Sequence, residues 1–133
     1  MSNTYLNPEG MHASPAFSQA VRVPAGYDTI YVGGQNGVGP DGTVVGPGIA
    51  EQSKRAMENL QASLKAAGAE LSDVVKWTIL IADGVSLEEG FAAVGPFIPQ
   101  PPPAITGAFV VSLAVPGALV EIEAIAAVKP AGD

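Results

Sequence analysis

The period of hydrophobic and polar positions changes several times along the chain. Phe17, Gln19, Val21 and Val23 alternate with Ser18, Ala20 and Arg22, and the alternation resumes in Thr29-Ile-Tyr-Val-Gly after the turn-forming Pro24-Ala-Gly-Tyr-Asp. Two period-two runs around a turn predict a β-hairpin. Gly33, Gly34, Gly37, Gly39 and Gly42 punctuate the next stretch, and Thr43-Val-Val predicts a third, small strand. From Ile49 to Ala67 the period becomes helical: Ile49, Ala56, Met57, Leu60, Leu64 and Ala67 recur at three- and four-residue spacing, with most charges elsewhere. Gly68 stands where a C-terminal cap belongs, and Val74-Val-Lys-Trp-Thr-Ile-Leu-Ile returns the chain to strand.

Ser86 and Glu89 have the spacing of a capping box, which predicts a second helix burying Leu87, Phe91 and Val94 and ended early by Gly95-Pro96. Pro99, Pro101, Pro102 and Pro103 predict an extended loop. Strands over Gly107–Ala114 and Ala118–Val128, joined by Val115-Pro-Gly, are expected to pair as an antiparallel hairpin. The resulting order, β-β-(β)-α-β-α-β-β, predicts an α+β fold, a mixed sheet with two helices on one face. The other face is expected to carry Trp77 with Val75, Ile79 and Ile81, and a second subunit is expected to cover it.

Size and composition narrow the function. A chain of 133 residues is expected to form one domain over 1–133, and 47% hydrophobic residues suffice for a real core. The formal net charge of −7 argues against nucleic acid as a partner and ranks RNA cleavage last among the functions considered, and the apolar run Phe109–Val120, broken by Pro116 and Gly117, is too short to span a membrane as a helix. The amino terminus has neither a basic start nor an apolar run, which predicts a cytoplasmic location. With Cys 0 and a single histidine, His12, thiolate chemistry and sites with two histidine ligands are excluded, and no metal or cofactor is expected.

Glu121 and Glu123 are the strongest chemical candidates. They share one face of the most apolar strand, where a carboxylate has to be paired, hydrogen-bonded or raised in pKa, as a general base also is. The same pair fits a strand whose open face carries two solvated acids. Gly33-Gly-Gln-Asn-Gly lacks the Gly-Lys-Ser/Thr ending of a phosphate loop and reads as turn chemistry. Ser14, Ser18, Thr78 and Thr106 stand in no Gly-x-Ser-x-Gly nucleophile elbow, so serine-hydrolase chemistry lacks support.

Several stretches together resemble the Rid family, also called YjgF or RidA-like and formerly the L-PSP endoribonucleases. They are Ala13-Ser-Pro-Ala-Phe-Ser-Gln, Val32-Gly-Gly-Gln, Glu51-Gln-Ser-Lys-Arg-Ala-Met-Glu-Asn-Leu, Asp73-Val-Val-Lys-Trp-Thr, Pro103-Ala, and Pro116-Gly-Ala-Leu-Val-Glu-Ile-Glu-Ala-Ile-Ala. The resemblance implies a chorismate-mutase-like subunit in a homotrimer, with small-molecule clefts between subunits. In the deaminase branch an arginine after Pro-Ala grips the carboxylate of a 2-imino acid, and the first glutamate of Glu-Ile-Glu places the hydrolytic water. Here the arginine position holds Ile105, which cannot clamp a carboxylate.

Glu121 matches the family glutamate, Thr106 follows the arginine position, Phe17 stands where tyrosine is common and Gly33 where serine is frequent; Gly34 completes the implied ligand-binding set. Gly95 falls where the deaminases often have asparagine, and the rest of their second helix is replaced by the proline-rich segment. The resemblance therefore implies clefts binding a small, mostly neutral metabolite, with the usual 2-imino acid deaminase activity not expected. The alternative is a hydrolase or isomerase of another imine or enamine, with Glu121 as the catalytic group.

Overall fold

The computed structural model describes residues 2–132. In chain order the elements are β1 (Thr4–Leu6), β2 (Ala20–Arg22), β3 (Asp28–Gln35), α1 (Ile49–Ala66), β4 (Val74–Ala82), α2 (Leu87–Val94), β5 (Ala104–Val110) and β6 (Val120–Val128). Single 3-10 turns at Leu71–Asp73 and Gly95–Phe97 precede β4 and follow α2. The helices end as their sequences predict. Ser86 Oγ accepts the Glu89 N–H at 3.0 Å at the start of α2, and Gly68, at φ +81°, lets the Ala69 N–H reach Leu64 O at 2.9 Å after α1.

A four-stranded sheet runs in the order β3-β6-β4-β5. β6 is antiparallel to both β3 and β4, and β4 is parallel to β5. β3, α1 and β4 thus form a split β-α-β unit with β6 in the gap, and α2 makes the crossover that a parallel β4–β5 pair requires. α1 packs on β6 and β3, with α2 beside it. Met57, Leu60 and Leu64 of α1 are fully buried with Trp77 and Ile122 of the sheet.

This topology corrects several expectations. β5 and β6 do not form a hairpin: β6 takes the gap between β3 and β4, where both its edges find hydrogen-bond partners, instead of pairing outside β5. The expected first hairpin is also absent, since β3 pairs with β6 and the short β2 pairs with β1, a strand the sequence reading missed in the polar start of the chain. Phe17 lies outside β2, in a loop with one bridge to Ser14. Thr43–Val45 forms no named strand, only a bridge between Val44 and Val38, because the surrounding glycines keep the backbone turning.

The face assignment of β4 is reversed. Trp77, Ile79 and Ile81 pair in register with Ala124, Ile122 and Val120 and belong to the helix-covered core. Lys76, Thr78 and Leu80 take the open face, and a bulge at Val74–Lys76 buries Val74 and Val75 in succession. Both strand faces were apolar enough to read as core, so alternation could not decide which one α1 would cover. In α2 only Val94 of the three expected core residues is buried; Leu87 is 73% and Phe91 58% exposed. Gly90 carries the close contact instead: a Cβ there would lie 3.6 Å from Ile81 Cδ1, so the helix approaches β4 along its glycine.

Gln52 closes the fold around β6. This fully buried residue of α1 donates to Gly46 O (2.7 Å) and Gly117 O (3.1 Å), and its side-chain oxygen accepts the Leu119 N–H at 2.8 Å. Replacing it by leucine leaves three backbone groups without partners. Gln52→Leu is expected to lower unfolding free energy by about 3 kcal/mol, read from urea denaturation midpoints.

Candidate functional site

The sheet divides the residues implicated by sequence into two groups, one on each face. On the helix side, Phe17 and Ile105 line a cavity of about 510 Å³ between β5, α2 and the loop carrying Ser14 to Phe17. Ile79, Ile81, Val94 and Ile98 form its floor and back, and the exposed Leu87, Phe91 and Phe109 form its rim. The wall is almost wholly hydrocarbon. Ser14 supplies a hydroxyl that already accepts the Ala16 N–H at 3.0 Å, and none of the lining side chains among the described residues carries a charge.

Two loops hold the cavity in shape. Ser18, 2% exposed, donates its N–H to Pro103 O at 3.0 Å and its hydroxyl to Pro102 O at 2.6 Å. Gln100 donates its side-chain N–H to Pro15 O at 2.8 Å. The Ser14–Phe17 loop is thereby tied to the proline-rich segment, whose prolines offer carbonyl acceptors while donating nothing themselves. Phe17 faces Ile105 because of these ties, a proximity the separation of the two residues in sequence does not suggest.

On the open face stand Glu121, Glu123, Thr78, Lys76 and Thr106. Thr106 is adjacent to Ile105 in the strand and therefore points away from the cavity; it accepts a hydrogen bond from Lys76 Nζ. Gly33 lines a smaller hollow of about 210 Å³ with Tyr31, Lys76, Thr78, Glu123 and Ile125. Glu121 lies over Gly34, where a Cβ would stand 2.8 Å from its Cδ, and its Oε1 accepts from Asn36 Nδ2 at 3.3 Å. The same Asn36 amide donates to Val120 O at 3.0 Å, and Asn59 of α1 donates to Asn36 O at 3.2 Å and Val38 O at 3.0 Å.

Asn36 is the residue that sequence reading missed. Only 8% exposed, it sets the direction of the Glu121 carboxylate, and bare Gly34 leaves room for it. The available signal was a polar residue just after a strand end beside glycines, in a segment read only as turns. Within one subunit, then, Phe17 and Ile105 form an apolar cavity, Glu121, Gly34 and Asn36 form a polar corner, and the two lie on opposite faces of the sheet. Among the described residues, no group of three or more His, Asp or Glu side chains is placed to hold a metal ion.

A mixed sheet with two helices on one face, an apolar cavity beside the edge strand and a glutamate on the open face defines a subunit of the chorismate-mutase-like, YjgF/Rid type. The chain belongs to the endoribonuclease L-PSP family, whose sequence profile matches residues 9–128. It is 34% identical over 110 residues to a RutC family protein of Sinorhizobium fredii, covering 82% of this chain and 84% of that one. It is 51% identical over 69 residues to the rat 2-iminobutanoate/2-iminopropanoate deaminase. That match takes in 51% of this chain and spans about half, 48%, of the deaminase. Among solved structures, a Rid family protein of unknown function from Yersinia pestis superposes with a TM-score of 0.83 at 30% identity, over 95% of this chain and 98% of that one. Among the described residues no helix is long and apolar enough to cross a membrane.

The polar corner makes a direct prediction. A Gly34→Ala side chain cannot coexist with the Glu121 carboxylate in its present position, whereas a Cβ at Gly33 meets nothing within 4 Å. Gly34→Ala should shift the Asn36 side-chain amide resonances in an NMR spectrum, and Gly33→Ala should leave them in place.

Proposed function

We propose that the chain works as a homotrimer whose intersubunit clefts bind a small, mostly neutral metabolite. One wall of each cleft would be the apolar cavity at Phe17 and Ile105, and the polar anchor would be Glu121 from a second copy. The observation that carries this reading is the lining of the cavity, in which no charged side chain occurs among the described residues; it includes Ile105, at the position where the family resemblance implies an arginine. A carboxylate moved into such a wall would lose its hydration without gaining a cation or a donor. The deaminase named among the relatives acts on 2-imino acids, which bear that carboxylate, so this chain is not expected to share its reaction.

Assembly is supported by the arrangement of the two residue groups. Glu121 and the cavity lie on opposite faces of one sheet, so only another copy can bring a Glu121 to a given cavity. The exposed Leu87, Phe91 and Phe109 around the cavity mouth also favour contact with a second copy.

A second reading is favoured by the geometry at Glu121, whose carboxylate is held by Asn36 over a bare glycine. A carboxylate so fixed can take a proton from water as the water oxygen bonds to the carbon of an uncharged imine. The C=N electron pair passes to nitrogen, which takes that proton back from Glu121; the carboxylate then accepts the hydroxyl proton of the adduct and returns it to nitrogen as the C–N bond breaks, releasing the amine and a carbonyl compound. In this reading Glu121→Ala abolishes hydrolysis, and an unchanged rate removes Glu121 from the mechanism.

Two measurements test the proposal. Sedimentation equilibrium at micromolar concentration should return three times the chain mass, and a monomer mass overturns the assembly. Freshly generated 2-iminobutanoate should be hydrolysed by the wild type no faster than in a buffer blank. Ile105→Arg should raise that rate measurably if the rest of the deaminase site is in place, and wild-type hydrolysis at an enzymatic rate overturns the neutral-ligand reading.

A further inference from the structure

The cavity at Ile105 does not end at α2. A second one, of about 340 Å³, adjoins it on the far side of Phe91 and is lined by Ala92, Pro96 and Gln100 together with residues that belong to both. Pro15, Ala16, Phe91, Gly95 and Ile98 are the shared residues, so the two spaces meet along one seam. Phe91 stands at that seam with its ring against Gly95, where a Cβ would lie 3.4 Å from Phe91 Cε1. The ring is 58% exposed, and the glycine it packs on has no side chain.

The lining has one chemical character throughout. Charged side chains are absent from both sets of lining residues among those described, and the polar Gln100 has its side-chain N–H engaged by Pro15 O. α2 stops at Val94, and the turn Gly95–Phe97 follows along the seam, with Gly95 in both linings and Pro96 in the second. A bend of apolar surface that continues past the end of a short helix suits a chain-like molecule better than a compact one.

We infer that the two cavities form one bent site for an unbranched neutral molecule, whose hydrocarbon tail runs from the Ile105 cavity past Phe91 and Gly95 into the second space. The inference rests on the apolar-site reading above and extends it from a small ligand to an elongated one. Burial of the tail supplies the affinity, and tail length sets the specificity.

The test uses the full chain and a homologous series of neutral alcohols, butanol, hexanol, octanol and decanol, displacing the uncharged fluorescent probe N-phenyl-1-naphthylamine. Affinity should rise roughly fourfold per added methylene, the equivalent of about 0.8 kcal/mol, through octanol. Ala92 lies on the exposed side of α2 and lines the second cavity but not the first. Ala92→Phe should leave butanol unchanged and cut octanol binding at least tenfold, towards the butanol value. A wild-type series that stops improving at butanol, or an octanol affinity untouched by Ala92→Phe, overturns the elongated site while leaving the Ile105 cavity as a binding site. Failure of the probe and of every alcohol to bind overturns the apolar-site reading itself, and this inference with it.

Discussion

The register of β6 is the constraint on which the rest of the molecule depends. Its even-numbered residues Ile122, Ala124 and Ala126 are buried against α1, and its odd-numbered Glu121 and Glu123 stand on the open face. A slip of one residue would drive two carboxylates into the core and expose the side chains that hold the helix, so the register is strongly determined. The strand is also paired along both edges, by β3 and β4. The position of Glu121 is therefore set by the same interactions that make the core.

Helix α1 secures that register from the other side of the sheet. Gln52 binds the backbone leading into β6 at Gly117 and Leu119, and Asn59 binds the backbone of Asn36, whose side chain reaches Val120 and Glu121. One helix thus fixes both the strand and the residue that orients its carboxylate. Gly37 permits the approach, since a Cβ there would stand 2.8 Å from the Gln52 carbonyl carbon. The glycine-rich stretch earns its composition by bringing backbone close to α1, a purpose unrelated to phosphate binding.

The two sides of the sheet differ in chemistry as well as in position. Toward the helices, Ile105 and Phe17 sit in hydrocarbon; toward the open face, Glu121 sits among Asn36, Thr78 and Glu123. Under the proposed assembly the two groups would become opposite walls of one cleft, one of hydrocarbon and one carrying a carboxylate.

Much was legible in the sequence because it depends on local physics. The helical spacing from Ile49 to Leu64, the cap at Ser86, the left-handed glycine at Gly68 and the β-branched run at Val74 each specify their element within a few residues. The family-like stretches pointed to the family whose profile the chain matches. Strand order was not legible, since the gap between β3 and β4 exists only after α1 has packed, and pairing there competes with the nearer hairpin by partners far away in sequence. The same holds for the covered face of β4, for the exposure of Leu87 and Phe91, and for Asn36. Period and turn chemistry act over a few residues and so can be read from sequence; which face is buried and which polar groups meet depends on long-range packing, and only the tertiary structure decided it.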